Sequence, residues 1–445
     1  MRGAIAAGHP LTAEAGARVL VDGGNAVDAC IAAAFVAAVA EGPLTGPAGG
    51  GFLLVHEPGA EAAVVLDCFF AAPSRTLGEM EEVVVDFADS GTQIFHVGEG
   101  SVAVPGLIAG LEEAHRRFGS RPWAALVEPA IALAPEGVAP DAPRAFLHGI
   151  LGGILLRTEA GARVYGNPDL VVTAELGATL ERVRDVGAAA VTELVPELEA
   201  DLTAYRVVER TPLEADVLGT RVLSTPVPSR GGAIVLDILG ALSSLDAWSL
   251  DGEAGAVGAA YRRSSMGPMS GTTHISVVDA SGVAASLSST LGAGSGIFRG
   301  GTQLNNMLGE LDVIGVGLQQ SGERLPSMMT PTMVLDSGVP RLVLGSAGSV
   351  RLAGAIAQVT WRILQGEDVA AAIDAPRLHV DGAVLHLEGG WAEETVASLP
   401  TSWELVRWIG QNLFFGGVSA VERRPDGSLA AAGDPRRGGA GVVVP

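Results

Sequence analysis

The chain has 445 residues with 28 basic and 50 acidic side chains, a formal net charge of −22 that disfavours nucleic acid or an anionic membrane as a partner. It contains no lysine, which excludes Walker-type phosphate loops and lysine Schiff-base chemistry. Apolar residues make up 48 % of it, but most of that is alanine and valine broken by glycine and charge. The longest apolar run, 29–40, is too short to cross a bilayer, which takes roughly 20 residues.

The start, Met1-Arg2-Gly3-Ala4-Ile5, lacks the apolar stretch of a secretory leader, so residence in the cytoplasm is expected. Residues 11–22 and 26–40 read as consecutive helices. Gly23-Gly24 closes the first, and Asn25 caps the second. Gly49-Gly50-Gly51 precedes the strand-like Phe52-Leu53-Leu54-Val55-His56 rather than a helix, so it reads as close backbone packing and not as a phosphate cradle. Cys30 and Cys68 form no CxxC pair, and the eight histidines have no HExxH spacing, so no structural metal is expected. Residues 106–215 look mainly helical, with amphipathic stretches at 107–118 and 174–186. Strand patterns return at 219–224 and dominate 272–345, and a helical pattern follows at 351–365. Strand-rich and helix-rich segments without a repeat point to mixed α+β layers.

The most informative run is Gly271-Thr272-Thr273-His274-Ile275-Ser276-Val277-Val278-Asp279. Ala280-Ser281-Gly282 suits a type I turn with a glycine bulge. If Asp279 then faces Val283, the same register puts Thr290 opposite Thr272. Alternation gathers Thr272, His274, Ser276, Ser286, Ser288 and Thr290 on one face, with Ile275, Val277, Val283 and Leu287 on the other. A threonine hydroxyl is a poor nucleophile without a base beside it. Cutting the chain before the threonine supplies one, since the freed α-amine has a pKa of about 7.7–8.0. Cleavage at Gly271–Thr272 is therefore expected. Taken alone, the hairpin also fits an ordinary edge hairpin with a polar solvent face, and His274 a structural histidine.

Motifs along the whole chain resemble the γ-glutamyltransferase family of N-terminal-nucleophile hydrolases. They are His9-Pro10 with Gly23-Gly24-Asn25-Ala26-Val27-Asp28-Ala29, then Gly49-Gly50-Gly51-Phe52, then Pro226-Val227-Pro228-Ser229-Arg230-Gly231-Gly232. Thr272-Thr273-His274, Leu304-Asn305-Asn306, Met329-Thr330-Pro331-Thr332, Ala375-Pro376-Arg377-Leu378-His379 and Asp434-Pro435-Arg436-Arg437-Gly438 complete the series. The resemblance implies a four-layer αββα sandwich without a cofactor. It also implies a precursor that yields a large subunit, 1–271, and a small one, 272–445, folded as one unit. Thr272 would attack a γ-glutamyl amide and pass the acyl group to water or an amino acid. Thr290 would support the nucleophile, and Gly348 and Ser349 would stabilise the oxyanion through backbone N–H groups.

The departures from the family pattern gather in the substrate pocket. Phe69 stands where the family has the arginine that clamps the glutamyl α-carboxylate, and Met328 replaces one serine of a pair whose other member is Ser327. Glu310 stands in for the acid that holds the α-amine, Gly292 replaces an asparagine, and the short stretch between Asn306 and Ser327 suggests a missing lid. Arg75 and Arg299 are the candidates for a replacement cation, and a side chain at Ser349 is expected to crowd the oxyanion turn. The first reading is γ-glutamyl peptide or glutathione hydrolysis and transfer. The alternative is an acylase acting on a less polar acyl amide, and a third is a precursor that never matures and serves as a binding protein.

Overall fold

The computed structural model describes residues 2–60, 62–86, 92–263, 271–310 and 320–445. Two antiparallel sheets form its centre. Their strands are β1 (Gly3–Ala7), β2 (Gly50–His56), β3 (Val64–Cys68), β4 (Val208–Arg210), β5 (Leu213–Val217), β6 (Thr220–Ser224), β7 (Thr272–Asp279), β8 (Ala284–Thr290), β9 (Thr332–Asp336), β10 (Val339–Ala347), β11 (Gly417–Arg423), β12 (Leu429–Gly433) and β13 (Ala440–Val444). One sheet runs β13-β1-β7-β8-β2-β3-β4 and the other β12-β11-β10-β9-β6-β5. Helices Pro10–Val21 and Ala26–Ala40 cover the outer face of the first sheet, and Gly231–Ser243, Leu250–Arg263 and Leu352–Leu364 cover the second. The expected αββα layering is present.

Local chemistry explains where the first helices begin and end. His9 Nδ1 accepts from the Leu11 N–H, and Asn25 and Asp28 form a reciprocal capping box. Every residue of Ala26–Ala40 is buried. Small side chains let that helix lie close against β7 and β8, where Ile275, Val277 and Leu287 meet it. The region 106–215 departs from expectation at its end. Its last residues form β4 and β5, because Val208–Arg210 completes the edge of the first sheet beside β3, and Leu213–Val217 pairs with β6. No helix among the described residues is long and apolar enough to cross a membrane.

The hairpin has the expected register. Asp279 N–H donates to Val283 O at 3.0 Å, and Thr290 faces Thr272. Its polar face is not a solvent face, however. His274, Ser276, Ser286 and Ser288 are enclosed between the two sheets, where Ser276 Oγ donates to Ser419 O at 3.1 Å and Ser286 Oγ to Leu344 O at 3.2 Å. The hairpin is a central pair of strands, not an edge, so every hydroxyl on this face has to find a partner within the protein.

His274 organises that interior. One ring nitrogen meets Ser288 Oγ at 2.8 Å and the other Ser276 Oγ at 2.9 Å, with the ring lying against Gly345 of β10, where any side chain would collide with it. Burial pushes its pKa down to about 3. The unfolded chain binds this proton near pH 6.5 and the native chain refuses it down to about 3, so the ring costs nothing above roughly pH 6.5 and destabilises progressively below it. His9 and His148, pushed to about 4, act in the same direction. Urea midpoints are expected to be flat above pH 7 and to fall between pH 6 and 4, with His274→Asn removing part of that slope. An unaltered slope would show that the ring carries a proton in the folded state.

Candidate active site

Thr272 opens β7 and Thr290 closes β8, so the ladder fixes both at one end of the first sheet, buried. Thr290 Oγ1 accepts from the Gly292 N–H at 2.8 Å and donates to the carbonyl oxygen of Gly271. The first contact fixes the direction of the second. With its lone pair engaged by an N–H, the hydroxyl proton is free to point at the Gly271 carbonyl. Gly271 itself has φ +63, and a Cβ there would collide with the carbonyl oxygen of Gly292. Only glycine fits this tight approach, which holds the peptide before Thr272 against a hydroxyl donor.

The neighbouring threonine is anchored on the other face. Thr273 Oγ1 donates to Glu41 Oε2 at 2.6 Å, and Thr12 Oγ1 donates to Glu41 Oε1 at 2.8 Å. Arg144 lies 3.8 Å from the same carboxylate, which sits just past the end of helix Ala26–Ala40. Glu41 was not singled out in the sequence. A buried acid directly after an apolar helix was its one visible signal.

Gly348 and Ser349 follow β10 and lead through a short 3-10 turn into Leu352–Leu364. Backbone N–H groups at such a helix start lack intrahelical partners and face developing negative charge well. The crowding expected of the Ser349 side chain lies outside the described residues. Ala347, Thr272, Thr273, Glu41, Asp434 and Arg437 are among the residues that wall a cavity of about 20 Å³.

Glu310 is buried, and its Oε1 accepts from the Ala293 N–H at 3.2 Å. Asn306 Oδ1 accepts from Gly294 N–H at 3.1 Å, so both residues brace the chain as it leaves Thr290. Ser327 is joined to the 226–232 turn by Arg230 N–H to Ser327 O at 2.9 Å and Ser327 N–H to Pro228 O at 3.1 Å. The expected missing lid falls partly on 311–319, outside the described residues.

Neither Phe69 nor Met328 is among the described residues that wall the Thr272 cavity. Both belong to a fully enclosed apolar cluster with Phe52, Phe70, Met307, Leu325 and Met329. The rings of Phe69 and Phe52 stack at 5.3 Å and those of Phe69 and Phe70 meet edge-on at 4.9 Å. Neither expected replacement cation reaches the cavity either. Arg299 pairs with Glu197 at 2.7 Å and with Glu99 at 3.7 Å, and Arg75 donates to Glu197 O at 3.3 Å. Among the described residues, no three His, Cys, Asp or Glu side chains converge as a metal set would.

A buried ion cluster supports the floor of the site. Arg377 meets Asp434 at 2.6 Å, and Arg436 meets Glu388 at 2.6 Å and Asp434 at 3.2 Å. The Val418 N–H also donates to Asp434 at 2.9 Å. Together these contacts tie 375–379 and 434–437 to the start of β11.

Relatives match this chain in sequence over nearly all of its length. The acylase ACY 1 proenzyme of Pseudomonas sp. (strain SE83) is 29 % identical over 531 residues, covering 100 % of this chain and 94 % of that protein. The glutathione hydrolase proenzyme of Escherichia coli (strain K12) is 27 % identical over 533 residues, covering 98 % and 90 %. The crystal structure of cephalosporin acylase from Bacillus halodurans superposes with a TM-score of 0.84 at 21 % identity, over 99 % of this chain and 95 % of that one, and so shares the fold. The sequence profile described as Gamma-glutamyltranspeptidase matches residues 12–191 and 256–444. The chain belongs to the γ-glutamyltranspeptidase family of N-terminal-nucleophile hydrolases.

Proposed function

We propose that this chain is a precursor that cuts itself between Gly271 and Thr272, and that the mature enzyme is an amide acylase. In the first step Thr272 Oγ1 attacks the Gly271 carbonyl carbon, the Gly271–Thr272 amide bond breaks, and an ester forms while the nitrogen takes the hydroxyl proton. Water hydrolyses the ester and leaves 1–271 and 272–445 as two subunits. In turnover the free α-amine of Thr272 takes the Oγ1 proton, the hydroxyl attacks the substrate carbonyl, and the leaving amine departs with that proton. The backbone N–H groups at Gly348 and Ser349 stabilise the oxyanion. Water or an amine then releases the acyl group.

One observation carries the choice of an acylase over a γ-glutamyl specialist. The positions that would clamp a glutamyl α-carboxylate, Phe69 and Met328, are packed into a buried apolar cluster. A carboxylate buried there unpaired would cost on the order of several kcal/mol. Relatives named as acylases stand beside those named as glutathione hydrolases, which is compatible with both chemistries in one family. The γ-glutamyl reading has Glu310 in its favour, since its carboxylate lies beside the segment that follows Thr290.

Release of p-nitroaniline from a series of acyl anilides tests the choice, with γ-glutamyl-p-nitroanilide expected to rank below an acyl anilide lacking the α-amino-acid head group. Phe69→Arg is expected to lower stability by about 3–5 kcal/mol, because an unpaired guanidinium replaces a ring in the cluster. A stable Phe69→Arg protein with raised γ-glutamyl turnover would establish the γ-glutamyl reading instead.

A further inference from the structure

Arg377, Arg436 and Arg437 all belong to the small-subunit region, and the structure treats them differently. Arg377 and Arg436 are in the buried ion cluster. Asp434 spends Oδ2 on Arg377 and the Val418 N–H, and Oδ1 on the backbone and side chain of Arg436. Among the described residues no carboxylate lies within ion-pair distance of Arg437, and only the more distant charge of Asp434 favours its cation. The one hydrogen bond of its side chain to those residues runs from Nη2 to Leu413 O at 3.3 Å, and its Nε is enclosed with no partner.

This guanidinium lies where an anion would be useful. Its stem crosses Gly417, and a Cβ at Gly348 would come within 3.0 Å of its Nη2, so the head rests against the proposed oxyanion turn. It shares a cavity wall with Thr272. The other charges on that wall are already engaged: Glu41 by Thr12, Thr273 and Arg144, and Asp434 as described. Burial and the charge of Arg351 hold Arg437 at about 10, still a cation at neutral pH.

We infer that Arg437 is the anion-recognising residue of the mature enzyme, taking a carboxylate of the substrate beside the scissile carbonyl. The inference rests on the Thr272 acylase reading and refines it, moving anion recognition from the Phe69 position to the C-terminal turn. The carboxylate belongs either to the acyl chain or to the leaving amine. Glutaryl-p-nitroanilide, which is the γ-glutamyl anilide without its amine, carries it on the acyl side. Pentanoyl-3-carboxy-4-nitroanilide carries it on the leaving side, and pentanoyl-p-nitroanilide carries none.

The ratio of kcat/KM for the better anionic anilide over the neutral one is expected to fall at least tenfold in Arg437→Gln, through KM, and to recover in part in Arg437→Lys. A fall on one arm alone identifies which side holds the carboxylate. An unchanged ratio overturns the inference, as does equal loss on all three anilides, which is what a strap for the 412–416 turn would give. Titration calorimetry with glutarate and with 5-amino-2-nitrobenzoate reads the same contact without turnover, so a protein inactive on every anilide still decides the question. Binding at least tenfold weaker in Arg437→Gln upholds Arg437, even if the acylase reading fails. Equal binding by the two proteins, or no binding by either, removes it.

Discussion

Thr272→Ala is expected to leave a single uncut chain and to abolish amide turnover, by at least about 10⁴-fold, the scale of losing a covalent nucleophile. In the proposed mechanism two separate reactions depend on the one hydroxyl, attack on the Gly271 carbonyl in the precursor and on the substrate carbonyl in the mature enzyme. The fold should survive, because Thr272 starts its strand and the ladder to Thr290 is made by the backbone. Thr272→Ser keeps a hydroxyl and an α-amine, so it is expected to cut and turn over more slowly. Intact mass and anilide release read both effects. An alanine variant that still cuts at Gly271 would place the nucleophile elsewhere.

Thr290→Val is expected to slow precursor cleavage by about 10²–10³-fold, the usual scale for losing one donor to a developing oxyanion. Valine keeps the shape and the β-branch, and removes only the hydroxyl that donates to the Gly271 carbonyl. It also leaves the Gly292 N–H without its acceptor, a cost of about 1–3 kcal/mol in a buried position. Thr290→Ser should restore cleavage, since it restores both contacts. The half-life of the uncut precursor, followed by mass after purification, separates the three proteins. Wild-type cleavage in a folded Thr290→Val protein would show that the carbonyl needs no such donor.

The hairpin was legible because its information is local. Alternation, a three-residue turn with glycine last and a fixed register placed Thr290 opposite Thr272 without reference to anything distant. The helices at 10–40 were legible for the same reason, through Asn25 and the glycines between them. What the polar face of the hairpin touches was not legible. Whether Ser276, Ser286 and Ser288 meet water or another sheet depends on β10 and β11, 58 and 143 residues away along the chain in the contacts made. The ladder beside β3 likewise drew Val208–Arg210 into a strand that the preceding helical pattern masked.

The arginines show the limit most clearly. A substitution at Phe69 could be seen in the sequence, and a missing cation could be inferred from it. Which arginine lies unpaired beside Thr272 could not, because that depends on how Asp434 and Glu388 divide themselves between Arg377 and Arg436. Arg75 and Arg299 were reasonable by position in the chain, but carboxylates and carbonyls at the surface engage both.

The most direct test of the account is the intact mass of freshly purified protein, followed by the N-terminal sequence of its smaller fragment. Two masses that divide the chain at Gly271–Thr272, with a small fragment beginning Thr-Thr-His, are the predicted result. A single uncut mass that persists on long incubation would mean that Thr272 never gains a free amine, and the catalytic reading would be wrong.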